Sequence, residues 1–273
     1  MQYIDNIKCY APELAHANAD YPVEAFEELY KIETENFWFF SRNAVLQHLF
    51  KKYLGTDQKH ILEIGCGTGF VLHGLSQKFP NYVLSGSEIH VAGIHFAQKR
   101  LPEVEFVQLD ATRMPFTDTF DAVGAFDVLE HIEEDVQVMK EVQKSLKKEG
   151  LFFISVPQYQ WMWSIADDVA YHKRRYTRQM LGTRLREAGF EVLYMGSFVA
   201  TLFPLMYASR LLKRRHTGKL TEAEARALSM QELQLSPTLN AILRQLMRID
   251  EGLIKKNVSL PFGGSLLAVA RKK

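Results

Sequence analysis

The sequence predicts a doubly wound α/β fold, in which helices cover both faces of a mostly parallel sheet. Short apolar runs alternate with helical segments from residue 60 onward, the pattern of parallel strands joined by crossover helices. A glycine-rich turn, Gly65 to Gly69, follows the first apolar run directly. Glu88 and Asp110 follow the second and third runs, and the carboxyl ends of parallel strands share one edge of a sheet. These three observations predict a ligand site at that edge.

The composition is that of a folded protein with no strong overall charge. Of the 273 residues, 47% are hydrophobic and 24% are charged, and 33 basic side chains nearly balance 32 acidic ones. Such a balance creates no chain-wide field that would attract a polyanion, so we do not expect nucleic acid as a partner. The two cysteines, Cys9 and Cys66, and a polar start without signal-peptide character favour a reducing, cytoplasmic location.

The chain divides into a core with helical additions. Apolar residues at helical spacing predict two lid helices between Val23 and Leu54, with the aromatic segment Phe37 to Arg42 between them, and we assign residues 1–57 to this lid. The core spans residues 58–197, residues 198–260 form a helical cap, and residues 261–273 carry a final strand. The expected strands are His60–Ile64, Tyr82–Ser87, Val104–Val107, Phe120–Phe126, Leu151–Val156, Phe190–Ser197 and Ser265–Ala270.

The glycine turn predicts a nucleotide-like ligand, because bare N–H groups at a helix N-terminus can approach one closely. A dinucleotide fingerprint starting at Gly65 needs a glycine at position 70, where the chain has Phe70. No lysine followed by serine or threonine completes a Walker A loop. Glu88 is placed to accept ribose hydroxyls and Asp110 to accept an amino group of a base. A turn that binds nothing and a surface glutamate are the alternatives.

These motifs together resemble the class I S-adenosylmethionine (SAM)-dependent methyltransferase family, whose glycine motif is acidic-x-Gly-x-Gly-x-Gly. The resemblance extends from about Gln58 to Val156 and includes Asp121 and the run Leu151 to Ile154. It implies a Rossmann-like, seven-stranded methyltransferase sheet with an antiparallel last strand. SAM is the implied cofactor, and the implied contacts are Gly65, Gly67 and Gly69 with the methionine part, Glu63 with the ammonium group, Glu88 and Ile89 with the ribose, Asp110 and Ala111 with the adenine, and Phe126 at the end of strand four.

The lid is expected to contact the same cofactor. Trp38 and Arg42 would cover it, and Arg42 would reach its carboxylate; ordinary helix packing is the alternative.

Strand four ends in Asp127-Val128-Leu129-Glu130-His131, where the residues nearest the transferred methyl are expected. This segment lacks an Asn-Pro-Pro-Tyr motif and resembles small-molecule O-methyltransferases, including quinone-pathway enzymes with Leu-Glu-His here. We expect His131 to act as a base beside Asp127, since imidazole titrates near neutrality; the alternative is that His131 only orients the loop. Asp127, Glu130 and His131 could also bind a metal, but the expectation is metal-free catalysis.

The aromatic and basic stretch after strand five is similar to a segment shared by a group of bacterial methyltransferases. Those proteins combine a Trp-Ser...Asp...His-x-Arg-Arg-Tyr-Thr run with an N-terminal Trp-Phe-x-x-x-Arg segment and a Gly-Gly-Ser ending. The resemblance favours His172, with Asp167, as a second catalytic residue. The expected substrate contacts are Trp163, Arg174, Arg175 and Tyr176, the arginines holding a carboxylate or phosphate. A solvated basic turn is the alternative.

The apolar stretch Phe198 to Leu212, followed by Lys213-Arg214-Arg215, is typical of an interfacial helix that could rest on an anionic membrane. A buried cap helix or a homodimer contact is the alternative, and no transmembrane span is expected. The sequence therefore predicts a SAM-dependent methyltransferase for a small-molecule or lipid-linked acceptor, with oxygen the expected atom. An N-methyltransferase acting on nucleic acid or protein, or a non-catalytic SAM-binding protein, remain the alternatives.

Overall fold

A computed structural model of the protein describes residues 2–16, 23–213, 224–225, 228–229 and 234–273. These residues form one nine-stranded sheet with helices on both faces. The strands are β1 (Gln2–Ile4), β2 (Ile7–Cys9), β3 (His60–Ile64), β4 (Val83–Glu88), β5 (Glu105–Gln108), β6 (Phe120–Phe126), β7 (Leu146–Pro157), β8 (Phe190–Phe198) and β9 (Ser265–Lys272).

The strand order confirms the predicted doubly wound topology. It runs β1-β2-β5-β4-β3-β6-β7-β9-β8, so the chain builds outward from β3 in one direction and then, from β6, in the other. Strands β2 to β7 pair in parallel, whereas β9 lies antiparallel between β7 and β8. The order reverses between β3 and β6, and ligands of such sheets bind at the carboxyl ends of the strands beside this reversal.

The expected count of seven strands is wrong by two for the described residues, because an N-terminal hairpin joins the sheet. Strand β2 pairs in parallel with β5, Lys8 opposite Val107, and buries Ile7 against the core. The turn uses Asp5 and Asn6, both with positive φ (49° and 64°), and such residues suit a two-residue hairpin turn. Three-residue strands are too short for a clear alternating pattern.

The helices alternate with the strands as expected. They are α1 (Val23–Ile32), α2 (Phe37–Leu54), α3 (Phe70–Lys78), α4 (Val91–Arg100), α5 (Asp135–Ser145), α6 (Ile165–Val169), α7 (Arg178–Glu187), α8 (Phe203–Lys213) and α9 (Pro237–Lys255). The aromatic segment expected between the two lid helices instead forms the first turns of α2. The reason is an N-cap: the Asn36 side chain accepts a hydrogen bond from the Trp38 N–H at 2.9 Å and starts the helix there.

The cap shares the hydrophobic core of the sheet. Met247 and Ile254 of α9 are buried in the same cluster as Phe50 of α2 and Phe153 of β7, whose rings stack with centroids 3.9 Å apart. Asn240 accepts from the Phe37 N–H at 2.7 Å and ties α9 to the start of α2. The cap helix thus supports the lid directly.

No helix among the described residues combines the length and apolar character that crossing a bilayer requires. The predicted basic flank falls at the end of α8, where Arg214 and Arg215 lie outside the described residues.

Candidate cofactor and acceptor site

The glycine turn lies at the carboxyl end of β3, at the reversal of the sheet. Gly65, Gly67 and Gly69 have φ values of 61°, 51° and 75°, a region that residues with a side chain rarely adopt. A Cβ at Gly65 would also lie 2.6 Å from a methyl group of Val128. The turn therefore requires glycine for its backbone and, at position 65, for its packing.

Glu88 at the end of β4 contacts this turn directly. Its buried carboxylate accepts hydrogen bonds from the backbone N–H groups of Gly67 at 3.0 Å and Ile89 at 2.8 Å. Ile89 is half-buried beside it. Glu88 and Gly67 are 21 residues apart in sequence but in contact in the fold. The glycine turn and the acidic residue after β4, both predicted to contact the cofactor, therefore lie side by side.

Asp110 follows β5 at the same edge and closes its own loop. Its Oδ1 accepts from the N–H and hydroxyl of Thr112 at 2.9 and 2.7 Å, and its Oδ2 accepts from Arg113 at 3.1 Å. The Arg113 side chain is 59% exposed, so that contact can be exchanged for another donor at little cost. Ala111 is half-buried next to it. The contact of Asp110 and Ala111 with adenine stays a prediction.

Glu63 is a buried carboxyl with unused hydrogen-bonding capacity. Its Oε2 atom has no hydrogen-bond partner among the described residues. Burial raises the pKa of Glu63 to about 8, although the nearby Arg42 opposes this shift. A buried acceptor without a partner is costly, and an ammonium group would satisfy it. The residue thus has the environment that the predicted ammonium contact needs.

The lid residue Arg42 is buried at this site and paired with Asp127. Its Nη1 donates to Asp127 Oδ2 at 2.5 Å, and its guanidinium lies 4.6 Å from the centre of the half-buried Trp38 ring. The expected contact of Arg42 with the carboxylate of SAM stays a prediction. Trp38 packs on the guanidinium and so fixes its position.

Phe126 and Asp127, at the end of β6, have side chains in different surroundings. The Phe126 ring belongs to the core cluster and lies 6.4 Å from Phe50, so its backbone is the part at the sheet edge. Asp127 has a φ of 59° and accepts from the Ser155 hydroxyl at 3.1 Å as well as from Arg42. These contacts favour a positioning role for Asp127, and the catalytic role expected for it stays a prediction.

Glu130, His131 and His172 form a group that we call the histidine cluster. Their potential ligand atoms lie within 4.8 Å of one another, and the two imidazole centroids are 4.6 Å apart. The Glu130 side chain is 1% exposed, and neither carboxylate oxygen has a hydrogen-bond partner among the described residues. Burial lowers the pKa of His131 to about 3, so this imidazole is neutral at pH 7 and a poorer base than the sequence suggests.

The cluster replaces the predicted metal-binding alternative of Asp127, Glu130 and His131. Asp127 is turned toward Arg42, and His172 supplies the third group from a different segment. Glu130 and His131 are adjacent in the short 3-10 turn Leu129–His131, and their ligand atoms nevertheless lie within 4.8 Å of each other.

His172 is oriented by Asp167. Its Nδ1 lies 2.9 Å from Asp167 Oδ1, and its Nε2 lies 4.0 Å from Glu130 Oε1. Burial favours the neutral acid at Asp167, but hydrogen bonds from His172 and Arg175 outweigh it and lower its pKa. The Nδ1 atom is thus occupied by Asp167, and Nε2 is the ring nitrogen that faces the cluster. Trp163 packs edge-on against His172, with ring centres 6.5 Å apart.

The remaining predicted substrate residues have protein partners. Arg175 pairs with both oxygens of Asp167, at 2.7 and 2.9 Å, and Arg174 donates to the backbone carbonyls of Ile132 and Glu133. The Tyr176 hydroxyl is buried and donates to Asp135 at 2.6 Å. These contacts favour a structural role for all three, and their expected role as acceptor ligands stays a prediction. We call this set, with Asp135 and Asp167, the arginine network.

The exposure of residues 173–175 bears on the alternative of an N-methyltransferase for nucleic acid or protein. A continuous face formed by the basic clusters at 173–175 and 213–215 would favour that alternative. Only Lys173 is exposed there, while Arg174 and Arg175 are buried.

One group near the turn has no signal in the sequence. Glu33, just after α1, is buried and accepts hydrogen bonds from the Thr68 hydroxyl and from Arg100, the latter at 2.8 Å. Arg100 also donates to the Thr68 carbonyl at 2.9 Å. The three residues lie far apart in the chain, so only folding reveals that they attach the lid to the glycine turn.

The antiparallel β9 beside β7, together with the acid-lined glycine turn at the sheet reversal, places the protein among the class I SAM-dependent methyltransferases. Comparison with known proteins agrees. Residues 62–154 match the family described as "Methyltransferase domain", and relatives named as probable SAM-dependent methyltransferases align with this chain.

Individual relatives match more of the chain than that segment. A probable SAM-dependent methyltransferase of Mycolicibacterium smegmatis is 27% identical over 199 residues, covering 70% of this chain and 71% of the relative. A demethylmenaquinone methyltransferase of Chlorobaculum tepidum is 28% identical over 130 residues, covering 47% of this chain and 52% of the relative. Phosphoethanolamine N-methyltransferase 2 of Haemonchus contortus, solved with SAM, has a TM-score of 0.60 at 15% identity; the match covers 93% of this chain and 58% of that one, and it supports the fold alone.

Proposed function

We propose that this methyltransferase transfers the methyl group of SAM to a hydroxyl oxygen of a small-molecule or lipid-linked acceptor, bound beside the histidine cluster. The observation that carries the proposal is the orientation of His172 by Asp167, with Nε2 directed toward Glu130 at the carboxyl edge of the sheet. A hydroxyl must lose its proton during methylation, and lone pairs of this kind activate hydroxyl groups.

The cofactor half of the proposal rests on three carboxyl groups spread along the sheet edge. Glu63 would receive the ammonium group, Glu88 the ribose and Asp110 the adenine. Arg42 and Trp38 would cover the methionine end, and Asp127 would hold Arg42 in place. Transfer from a sulfonium requires mainly alignment and exclusion of water, so a lid residue held over the methionine end suits the reaction.

The acceptor class rests on the surroundings of the histidine cluster and on one relative. The half-buried Trp163 offers an apolar surface beside His172. The Chlorobaculum tepidum relative is named for demethylmenaquinone, which supports a small-molecule or lipid-linked acceptor here. The proposal also includes a peripheral membrane contact through α8 and a homodimer.

Incubation of metabolite and lipid extracts with the protein and methyl-labelled SAM tests the function. We expect one acceptor class to gain label, with S-adenosylhomocysteine formed in equal amount, and mass spectrometry will assign the methylated atom. His172→Ala should lower turnover on the order of a hundred-fold and spare SAM affinity. His95→Ala, which removes an imidazole 40% exposed on the surface, is the matched control and should have no effect.

Two other outcomes would contradict the proposal. Label on a protein or nucleic acid would support the N-methyltransferase alternative. SAM binding without S-adenosylhomocysteine formation in any extract would support a non-catalytic SAM-binding protein.

A further inference from the structure

The histidine cluster has a composition that suits a metal ion better than a polar network within the protein. It contains two imidazoles and one carboxylate, the ligand set that proteins use for divalent transition metals with open coordination positions. All three donors come within 4.8 Å of one another, so one ion can reach them with small side-chain adjustments.

The unpartnered carboxyl group of Glu130 is a second, independent observation that points to a ligand. Its side chain is 1% exposed and is directed into the cluster, yet both oxygens lack a hydrogen-bond partner among the described residues. A buried carboxyl in this state is costly unless something compensates it. The backbone N–H of the exposed Lys173 donates to the Glu130 carbonyl at 2.7 Å and leaves the carboxylate oxygens without a partner.

Asp167 and Arg175 support the histidine cluster in the way that hydrogen-bond partners support the histidine ligands of a metal ion. Asp167 accepts from His172 Nδ1 at 2.9 Å, which directs the Nε2 lone pair toward Glu130. A carboxylate behind a ligating histidine fixes its tautomer and raises its basicity as a ligand. Arg175 holds Asp167 in turn through two hydrogen bonds.

We propose that Glu130, His131 and His172 bind a divalent transition-metal ion, and that the acceptor hydroxyl of the methylation occupies an open position on this ion. The proposal replaces the expectation of metal-free catalysis. Nε2 of His172 then binds the ion, so the ion and not the imidazole activates the hydroxyl. This catalytic part rests on the methylation given as the proposed function and changes only the role of His172 in it. A bound cation lowers the pKa of a coordinated hydroxyl. The proton leaves to water, the oxygen lone pair forms the bond to the methyl carbon, and the electron pair of the breaking C–S bond stays on sulfur. The products are the methyl ether, S-adenosylhomocysteine and one proton.

Metal binding can be measured without an acceptor. The purified protein, stripped with a chelator and dialysed, is titrated with Zn²⁺ and with Mn²⁺ by calorimetry, and bound metal is counted by elemental analysis. We expect one ion per chain. Glu130→Gln, which preserves the volume of the side chain, and His172→Ala should each weaken binding by at least about 100-fold.

Matched variants separate ligands from bystanders. Glu134→Gln removes an exposed carboxylate four residues along the chain and should bind metal as the wild type does. Asp167→Asn should weaken binding by about 10- to 100-fold without removing a ligand, as expected for a positioning residue. Circular dichroism and thermal melts accompany each variant, and Glu130→Gln serves as the reference if Asp167→Asn fails to fold.

Several results would overturn the proposal. The site is absent if neither ion binds the wild type, or if Glu130→Gln binds as tightly as the wild type. If the ion binds but turnover in the stripped protein equals that of the loaded protein, the ion has no catalytic part, although the proposed methylation stands. If the ion binds and no acceptor is methylated, the proposed function fails and the metal site survives.

Discussion

Arg42 of α2 donates to Asp127 at the end of β6 at 2.5 Å, across 85 residues of sequence. The pair joins the lid to the strand whose end lies nearest the proposed methyl transfer. The Arg42 side chain is 9% exposed and that of Asp127 is 23% exposed, so solvent screens this ion pair less than a surface pair. Its loss should therefore affect both stability and cofactor binding.

Arg42→Ala should lower the free energy of unfolding by about 3 kcal/mol, because it leaves Asp127 partly buried without its cation. Denaturant unfolding at neutral pH measures this change. Combining Arg42→Met with Asp127→Asn should recover part of the loss, since neither charge then remains unpaired. Lys51→Ala, at an exposed position of the same helix, should change stability little, and an equal loss there would argue against the pair.

SAM binding should release a proton at Glu63. Its pKa of about 8 means that this carboxyl is mostly protonated at pH 7 without cofactor, whereas pairing with an ammonium group requires the ionised form. SAM affinity should therefore rise with pH, by up to about tenfold per unit between pH 6 and 7, and level off above pH 8. Calorimetry in buffers of different ionisation enthalpy counts the protons. Glu63→Gln should abolish this release; an unchanged count would assign the proton to another group.

The carboxyl group of Glu63 also makes the stability of the cofactor-free protein depend on pH. Its pKa is about 8 in the folded state and about 4.3 in the unfolded chain, so the folded state binds more protons between these values. Its contribution to stability is present at low pH and is lost as pH rises through this window. Glu63→Gln should flatten the stability profile between about pH 4.5 and pH 8.

Glu88→Ala should weaken SAM binding by about 1.5 to 3 kcal/mol, because a charged acceptor for the ribose hydroxyls is lost. Calorimetric titration with SAM checks this value. Glu105→Ala removes an exposed carboxylate from the neighbouring strand and should leave the affinity unchanged. Unchanged SAM affinity in Glu88→Ala, with equal NAD affinity in both proteins, would show that the cofactor assignment is wrong.

Variants of the arginine network should lose stability rather than acceptor affinity. Arg175→Ala removes both hydrogen bonds from the guanidinium to the buried Asp167, and Arg174→Ala removes donors to two backbone carbonyls. Each should cost about 3 kcal/mol, which thermal melts will register. Lys173→Ala, an exposed neighbour of the same charge, is the control. If both variants melt normally and instead raise the acceptor KM about tenfold or more, the arginines bind substrate as the sequence suggested.

Local patterns were sufficient to predict the sheet and the cofactor edge. Glycines with positive φ at 65, 67 and 69, and acidic residues at strand ends, are determined by backbone sterics and by the parallel βαβ unit, both of which act over short stretches of chain. The antiparallel last strand followed from the family resemblance. The hairpin β1-β2 was missed because three-residue strands have almost no periodicity.

The acceptor side depended on contacts between distant segments, and there the sequence determined residue types but not partners. Arg42, Asp127, Glu130 and His172 were all singled out, yet only the tertiary structure decided that Arg42 pairs with Asp127 and that His172 joins Glu130. Arg174 and Arg175 carry the same charge pattern whether they face solvent or the protein, and folding directed both inward. Burial and long-range pairing determine whether a charged group binds a ligand or another residue, and neither property is local in sequence.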